Sequence, residues 1–330
     1  MNIRKLLWDA AQGPHKRALP ILSFPAAQKL GVSVESLVKS AELQARAMEI
    51  IAVETDTLAA LSLMDLSVEA EAFGAQVRYA AQEVPAVVGQ LVADEDAAEA
   101  LAVPDLTAGR ALLCVEAVRT AKQRITGKPV IAGMIGPYSM AGRLCDVTEI
   151  MYLCFDEPEM VHTVLDKATQ YLLRYGQALK DAGADGIMMA EPLAGILSPD
   201  MAGEFSMPYV KRIIDALQDD EFAVLYHNCG NAVPQMLDGI YAQGAAAYHF
   251  GNAVDMAAIL AHTPADVLVM GNIDPAGEFA GGTAASITAA TRSLMAQCGQ
   301  YPNFVPSSGC DIPAHAQWEN IQAFFAAVKG

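Results

Sequence analysis

Along the chain, short uninterrupted apolar runs alternate with longer stretches in which apolar positions recur every three to four residues. The short runs are Leu19–Phe24, Leu58–Met64, Val130–Ile135, Gly186–Ala190, Ala223–Tyr226, Ala246–Phe250, Val267–Met270 and Asn303–Pro306. Runs of this length read as buried strands, and their alternation with helical patterns predicts a parallel α/β fold. Eight of them fit a closed (β/α)8 TIM barrel. Pro158 opens one helical stretch, with Val161, Leu165, Ala168, Leu172 and Leu173 on one face and Gly183 as its C-terminal cap. Further helices are expected over Pro199–Leu217 and Trp318–Val328. The stretch between Asp65 and Lys128 must hold a hairpin and helices outside the basic repeat. No low-complexity linker divides the chain, so residues 1–330 read as a single domain, with about the first 50 residues as a cap.

Polar residues interrupt this pattern mostly just after the strands. Asp65 follows Leu-Ser-Leu-Met, Glu191 follows Gly-Ile-Met-Met-Ala, and His227 and Cys229 follow Val-Leu-Tyr. Asn272 and Asp274 follow Val-Leu-Val-Met-Gly, and Cys310 follows Phe-Val-Pro-Ser-Ser-Gly. In a parallel barrel the C-terminal strand ends converge on one rim, where active sites lie. Residues far apart in the chain are thereby brought to one pocket.

His227-Asn-Cys229 is the densest chemical signal. Two residues apart on an extended strand end, imidazole and thiol point to the same side and can grip one ion. Cys310 sits in Ser307-Ser-Gly-Cys-Asp-Ile-Pro, where Gly309 is expected to allow a sharp turn. One His and two Cys with an open fourth position form a catalytic zinc pattern, whereas structural zinc is closed by four protein ligands. The competing reading is a buried histidine beside two reduced core thiols. Glu191 ends an apolar strand before Pro192, so it faces the pocket as a fourth ligand or acid–base group, or else forms a salt bridge across the rim. Asp65 admits the same alternatives. Tyr138, in Gly136-Pro-Tyr, is placed on a loop wall with its hydroxyl reaching the pocket. Asn272 and Asp274 are read as substrate contacts or as turn formers. His249 is read as a satisfied core histidine.

Composition narrows the partners. The net charge of −17 repels a phosphate backbone and makes nucleic acid a poor partner. It suits a solvated acidic surface, or a field that steers a basic partner. No stretch reaches the roughly 18 apolar residues of a membrane span, and the N-terminal residues lack a secretory signal, so a cytoplasmic protein is expected. The six cysteines are then expected to be reduced, with Cys114, Cys145, Cys154 and Cys298 as small structural residues.

Five segments carry a further resemblance. They are Leu63-Met-Asp-Leu-Ser-Val-Glu-Ala-Glu-Ala-Phe-Gly, Gly133-Met-Ile-Gly-Pro-Tyr-Ser-Met-Ala-Gly, Gly183-Ala-Asp-Gly-Ile with Glu191-Pro-Leu-Ala-Gly-Ile-Leu-Ser-Pro, Gly271-Asn-Ile-Asp-Pro, and Gly309-Cys-Asp-Ile-Pro. Over nearly its full length the chain resembles the uroporphyrinogen decarboxylase superfamily, which folds as a (β/α)8 barrel. Within it, the chain looks most like the cobalamin-dependent branch typified by methylcobalamin:coenzyme M methyltransferases. That branch carries a zinc-binding His-x-Cys and a later Cys, which fall here on His227, Cys229 and Cys310. The decarboxylase branch has an Arg-Gln-Ala-Gly-Arg motif, but the corresponding region here is Ala18-Leu-Pro-Ile-Leu-Ser-Phe-Pro-Ala-Ala-Gln, without arginine. Asp65 aligns with the decarboxylase's catalytic aspartate, yet the supporting cations are missing, which argues against decarboxylation.

The resemblance implies transfer of methyl from methylcobalamin, carried on a separate corrinoid protein, to a small thiol activated by Zn2+. A demethylase moving methyl from a methoxylated or methylated small molecule onto a corrinoid, and a non-catalytic zinc docking subunit, are the alternatives it leaves. Coenzyme M would also need cationic or amide groups for its sulfonate, for which no motif stands out. A homo-oligomer is compatible with the sequence.

Overall fold

The computed structural model describes residues 2–330. Seven of the apolar runs become strands of one parallel sheet: β1 (Ala60–Leu61), β4 (Val130–Ile135), β5 (Gly186–Ala190), β6 (Ala223–Asn228), β7 (Ala247–Phe250), β8 (Val269–Ile273) and β9 (Phe304–Ser308). Between β1 and β4 the chain inserts an antiparallel hairpin, β2 (Gln76–Arg78) and β3 (Ala86–Val88), together with helices, as the sequence required. The sheet order β1-β4-β5-β6-β7-β8-β9 follows the chain, so each strand pairs with its successor and the sheet curls.

The eighth expected strand is absent. Leu19–Phe24 is buried but forms no ladder. It bridges the two sheet edges instead: Leu19 N–H donates to Pro306 O on β9 at 3.1 Å, and Leu58 N–H donates to Ala18 O at 2.9 Å beside β1. Pro20 within the segment and Pro306 opposite it have no amide hydrogen, so a continuous ladder cannot form there. The wall is closed by a seam rather than by a strand.

Alternation along each strand sorts side chains to two sides of the wall. Met188 and Ala190 of β5, Ala223 and Leu225 of β6, and Ala247 of β7 join one inner cluster with Leu19, Ile21 and Val305. The first helix, Ile3–Gln12, adds Ile3, Leu7, Ala10 and Ala11 to that cluster. The alternate residues Val224, Tyr226, Tyr248 and Phe250 face the surrounding helices in the largest cluster. His227 is in step with Ala223 and Leu225, which aims its ring inward near the C-terminal rim.

The helix Pro158–Asp181 forms as the spacing predicts, and Gly183 ends it with a left-handed φ of +98° while its amide donates to Lys180 O. The single helix expected over Pro199–Leu217 is instead two, Pro199–Phe205 and Met207–Leu217. Pro208 supplies no amide to the preceding turn, and the chain bends at Ser206. Among the described residues, no helix is long and apolar enough to cross a membrane.

Candidate metal centre

His227 is the last residue but one of β6, Cys229 follows that strand directly, and Cys310 lies just beyond β9. The fold brings them together: their ligand atoms all lie within 4.8 Å of one another, and among the described residues they are the group of His, Cys, Asp or Glu close enough to share an ion. His227 is buried and the two cysteines are partly exposed, so the site is rigid on one side and reachable on the other. Gly309 carries Cys310 to this position for a reason other than the one expected. It is not left-handed; a side chain there would strike Asn252, whose backbone N lies 2.6 Å from the place of a Cβ.

The donor set fits a tetrahedral zinc. With Zn–N near 2.0–2.1 Å and Zn–S near 2.3 Å, the edges of the tetrahedron are roughly 3.5–3.8 Å. His227 Nε2 and Cys310 Sγ stand 3.5 Å apart. The thiols already behave as a pair: a hydrogen bond from Cys310 lowers the pKa of Cys229 to about 7, and the same bond raises that of Cys310 to about 12. Burial instead raises the thiols of Cys114 and Cys145 to about 12, as expected of structural cysteines, and all six cysteines are free.

A chain of hydrogen bonds behind His227 fixes where its proton sits. A carbonyl can only accept, so the Ser307 hydroxyl donates to Leu19 O at 2.7 Å. The Ser307 oxygen then accepts from His249 Nε2–H, also at 2.7 Å. His249 Nδ1 is left bare and accepts from His227 Nδ1–H at 2.8 Å. The lone pair of His227 is therefore on Nε2, the atom facing Cys310. Burial, helped by His227, holds the His249 pKa well below the usual histidine range, which keeps that ring neutral.

The other expected site residues lie outside the three-residue set. Glu191 is fully buried and does not join the sulfurs. Its Oε1 accepts from Tyr138 N–H at 2.8 Å, and its Oε2 accepts from Ser139 N–H at 3.0 Å and Ser139 Oγ–H at 2.8 Å. It thus caps the helix Pro137–Cys145, and burial raises its pKa to about 7. The Tyr138 hydroxyl does not reach a pocket; it meets Met151 Sδ at 3.3 Å and Cys154 Sγ at 3.6 Å in the core. Asn272 and Asp274 act as connectors. Asn272 Nδ2 donates to Gly251 O and Val254 O, both at 2.9 Å, and Asp274 Oδ1 accepts from Ala276 N–H and Gly277 N–H.

A family-wide sequence model for uroporphyrinogen decarboxylase (URO-D) matches residues 16–330. The chain belongs to the URO-D family. Two kinds of relative appear within it. The methylcobamide:CoM methyltransferase MtbA of Methanosarcina acetivorans is 26% identical over 270 residues, covering 80% of this chain and 77% of that protein. The uroporphyrinogen decarboxylase of Psychromonas ingrahamii is 27% identical over 285 residues, covering 83% and 78%. A solved methyltransferase from Methanosarcina mazei shares the fold, with a TM-score of 0.87 and 22% identity over 99% of this chain and 98% of that one.

For a member of the URO-D family, the surroundings of Asp65 are informative. Its Oδ2 pairs with Arg110 Nη1 at 2.5 Å, while Arg110 also holds Glu71 Oε2 at 2.7 Å and Ser67 Oγ at 2.8 Å. The salt-bridge alternative for Asp65 is therefore the one formed, and the expectation that this aspartate lacks a supporting cation is corrected: Arg110, 45 positions along the chain and outside any motif, supplies one. Asp311 is a further acid beside the site. It follows Cys310 directly, its Oδ1 is buried without a partner, and burial and the Cys310 thiol push its pKa well above the carboxylate range.

Proposed function

We propose that this URO-D family member is a zinc-dependent methyltransferase that moves a methyl group between a protein-bound methyl-corrinoid and a small thiol such as coenzyme M. The observation that carries the reading is the convergence of His227, Cys229 and Cys310 on one point at the C-terminal rim, with three ligands rather than four. The MtbA relative supports it in kind. Zinc held there would supply the positive charge that keeps a thiol deprotonated at neutral pH.

The chain's own residues prepare that position. His227 offers a fixed lone pair, because its other nitrogen is tied to His249. Cys229 loses its proton near neutrality, and His227, Cys229 and Cys310 would together hold the ion while leaving room for a substrate sulfur. Glu191 fixes the first turn of the helix Pro137–Cys145 through three hydrogen bonds and stays out of the ligand set. In the transfer, the sulfur–methyl bond forms as the cobalt–carbon bond breaks, and that electron pair stays on cobalt. Decarboxylation is the weaker reading, since residues 18–28 hold no arginine and Asp65 is engaged by Arg110.

Elemental analysis of protein purified without chelator should give about one zinc per chain, and Cys310→Ala should lose most of it. Full retention of zinc by a His227→Ala, Cys229→Ala double variant sinks the metal assignment. With methylcobalamin and 2-mercaptoethanesulfonate, the protein should yield thioether and cob(I)alamin, seen in the visible spectrum. Methyl transfer from a methoxylated compound to cob(I)alamin, with no reaction of any thiol, would instead establish the demethylase direction.

A further inference from the structure

The helix Pro137–Cys145 is buried at every position but one, and that position is Arg143. This residue is only partly exposed, yet it has neither a hydrogen-bond acceptor nor an ion-pair partner among the described residues. Burial lowers its pKa, and no carboxylate opposes the shift. The chain has 38 Asp and Glu against 21 Lys and Arg, so acidic partners are abundant. The comparable buried arginine, Arg110, has two carboxylates and a hydroxyl as partners. Leaving a desolvated guanidinium unpaired is costly, and a planar fork of N–H donors is suited to an oxyanion.

Arg143 lines a cavity of about 250 Å³ with Met64, Leu66, Ser67, Pro85 and Val87. Met64 to Ser67 follow β1, and Arg143 lies on the helix after β4, its neighbour in the sheet. The cavity is thus at the same rim as the metal centre, roofed by the β2–β3 hairpin. Its walls are mostly apolar, and the Ser67 hydroxyl is already committed, donating to Asp65 Oδ1 at 2.6 Å and accepting from Arg110. Arg143 is the cavity's unmatched charge. The volume lies just below the roughly 300–1,000 Å³ usual for ligand pockets, which selects a small molecule.

We infer that this cavity is an anion subsite in which Arg143 holds the sulfonate or carboxylate of a small aliphatic co-substrate, with the tail against Met64, Leu66 and Val87. Only the identification of that ligand as the methyl-transfer co-substrate rests on the proposed function; the subsite itself rests on the cavity and the unpaired cation.

The test is calorimetric titration of the full-length protein with ethanesulfonate, which carries the anion but no thiol, and with 1-propanol as the neutral counterpart. Wild type should bind ethanesulfonate saturably and 1-propanol not at all. Arg143→Gln should weaken ethanesulfonate binding about tenfold or more, and Arg143→Lys, which keeps the charge but not the fork, should fall between. Circular dichroism establishes that each variant is folded. Equal affinity in wild type and folded Arg143→Gln, or no saturable binding of ethanesulfonate by wild type, overturns the inference. Protein that binds ethanesulfonate through Arg143 but methylates no thiol supports the subsite and removes the proposed reaction, so the two fail separately.

Discussion

Replacing His249 should weaken zinc binding without touching a ligand. In His249→Leu, the His227 Nδ1–H loses an acceptor 2.8 Å away in a fully buried site. Two responses are open. The donor stays unsatisfied, which costs about 1–3 kcal/mol of stability, or the proton moves to Nε2, which removes the lone pair the metal needs. Losing such a supporting bond typically lowers metal affinity about 10–100-fold, or about 1.4–2.8 kcal/mol. His249→Gln is the informative partner, since its carbonyl can accept from His227 while its amide donates to Ser307. Competition with a chromophoric zinc chelator on folded protein measures the effect, and His249→Gln should recover a substantial part of the loss. A folded His249→Leu protein that binds zinc within twofold of wild type would refute the argument that the proton chain from Leu19 O positions His227.

Two further perturbations probe the rim. Glu191 titrates near 7 when folded against an ordinary 4.5, so it takes up a proton on folding between those values. Stability from this group is present below the lower value and is lost as pH rises through the higher one, by about 3 kcal/mol in all. Urea unfolding at pH 5 and pH 8 should show a smaller fall for Glu191→Gln than for wild type; parallel falls would place the titrating group elsewhere. Arg110→Met leaves Asp65 and Ser67 buried without their partner, and should cost about 3–5 kcal/mol in the same assay. A cost under about 1 kcal/mol would mean that Arg110 is not what satisfies Asp65.

The sequence carried the features that depend on local order. Val130–Ile135 and Gly186–Ala190 coincide with strands β4 and β5, because buried parallel strands are continuous apolar runs. The His227, Cys229 and Cys310 set was legible because its residue types are scarce and lie at strand ends. What escaped depended on register between strands. His249 pairs with His227 across β6 and β7, and no spacing along the chain reveals that. Tyr138 departs from expectation for a similar reason: instead of standing on a loop wall it lies in the first turn of the helix Pro137–Cys145, and its ring turns back onto Met151 and Cys154. Glu191 is expected to face the pocket or to form a salt bridge across the rim, but it is fully buried and its partners are two amides and a hydroxyl at a helix start. Leu19–Phe24 had a strand's hydrophobicity, while Pro20 and the distant Pro306 denied it a ladder.

The seam has a kinetic consequence. The bond from Ser307 to Leu19 O joins residues 288 positions apart, and the proton arrangement at His227 depends on it. Every ladder of the sheet joins strands that follow one another around the barrel, so the seam, which joins its first segment to its last, closes one of the longest loops in the chain and carries a large entropic cost of closure. A refolding chain that has formed its helices and most of its sheet would still present His227 to metal with an undetermined tautomer. Tight zinc uptake during refolding would therefore lag behind recovery of secondary structure, and a metal indicator in a stopped-flow experiment would time the meeting of the first stave with the last.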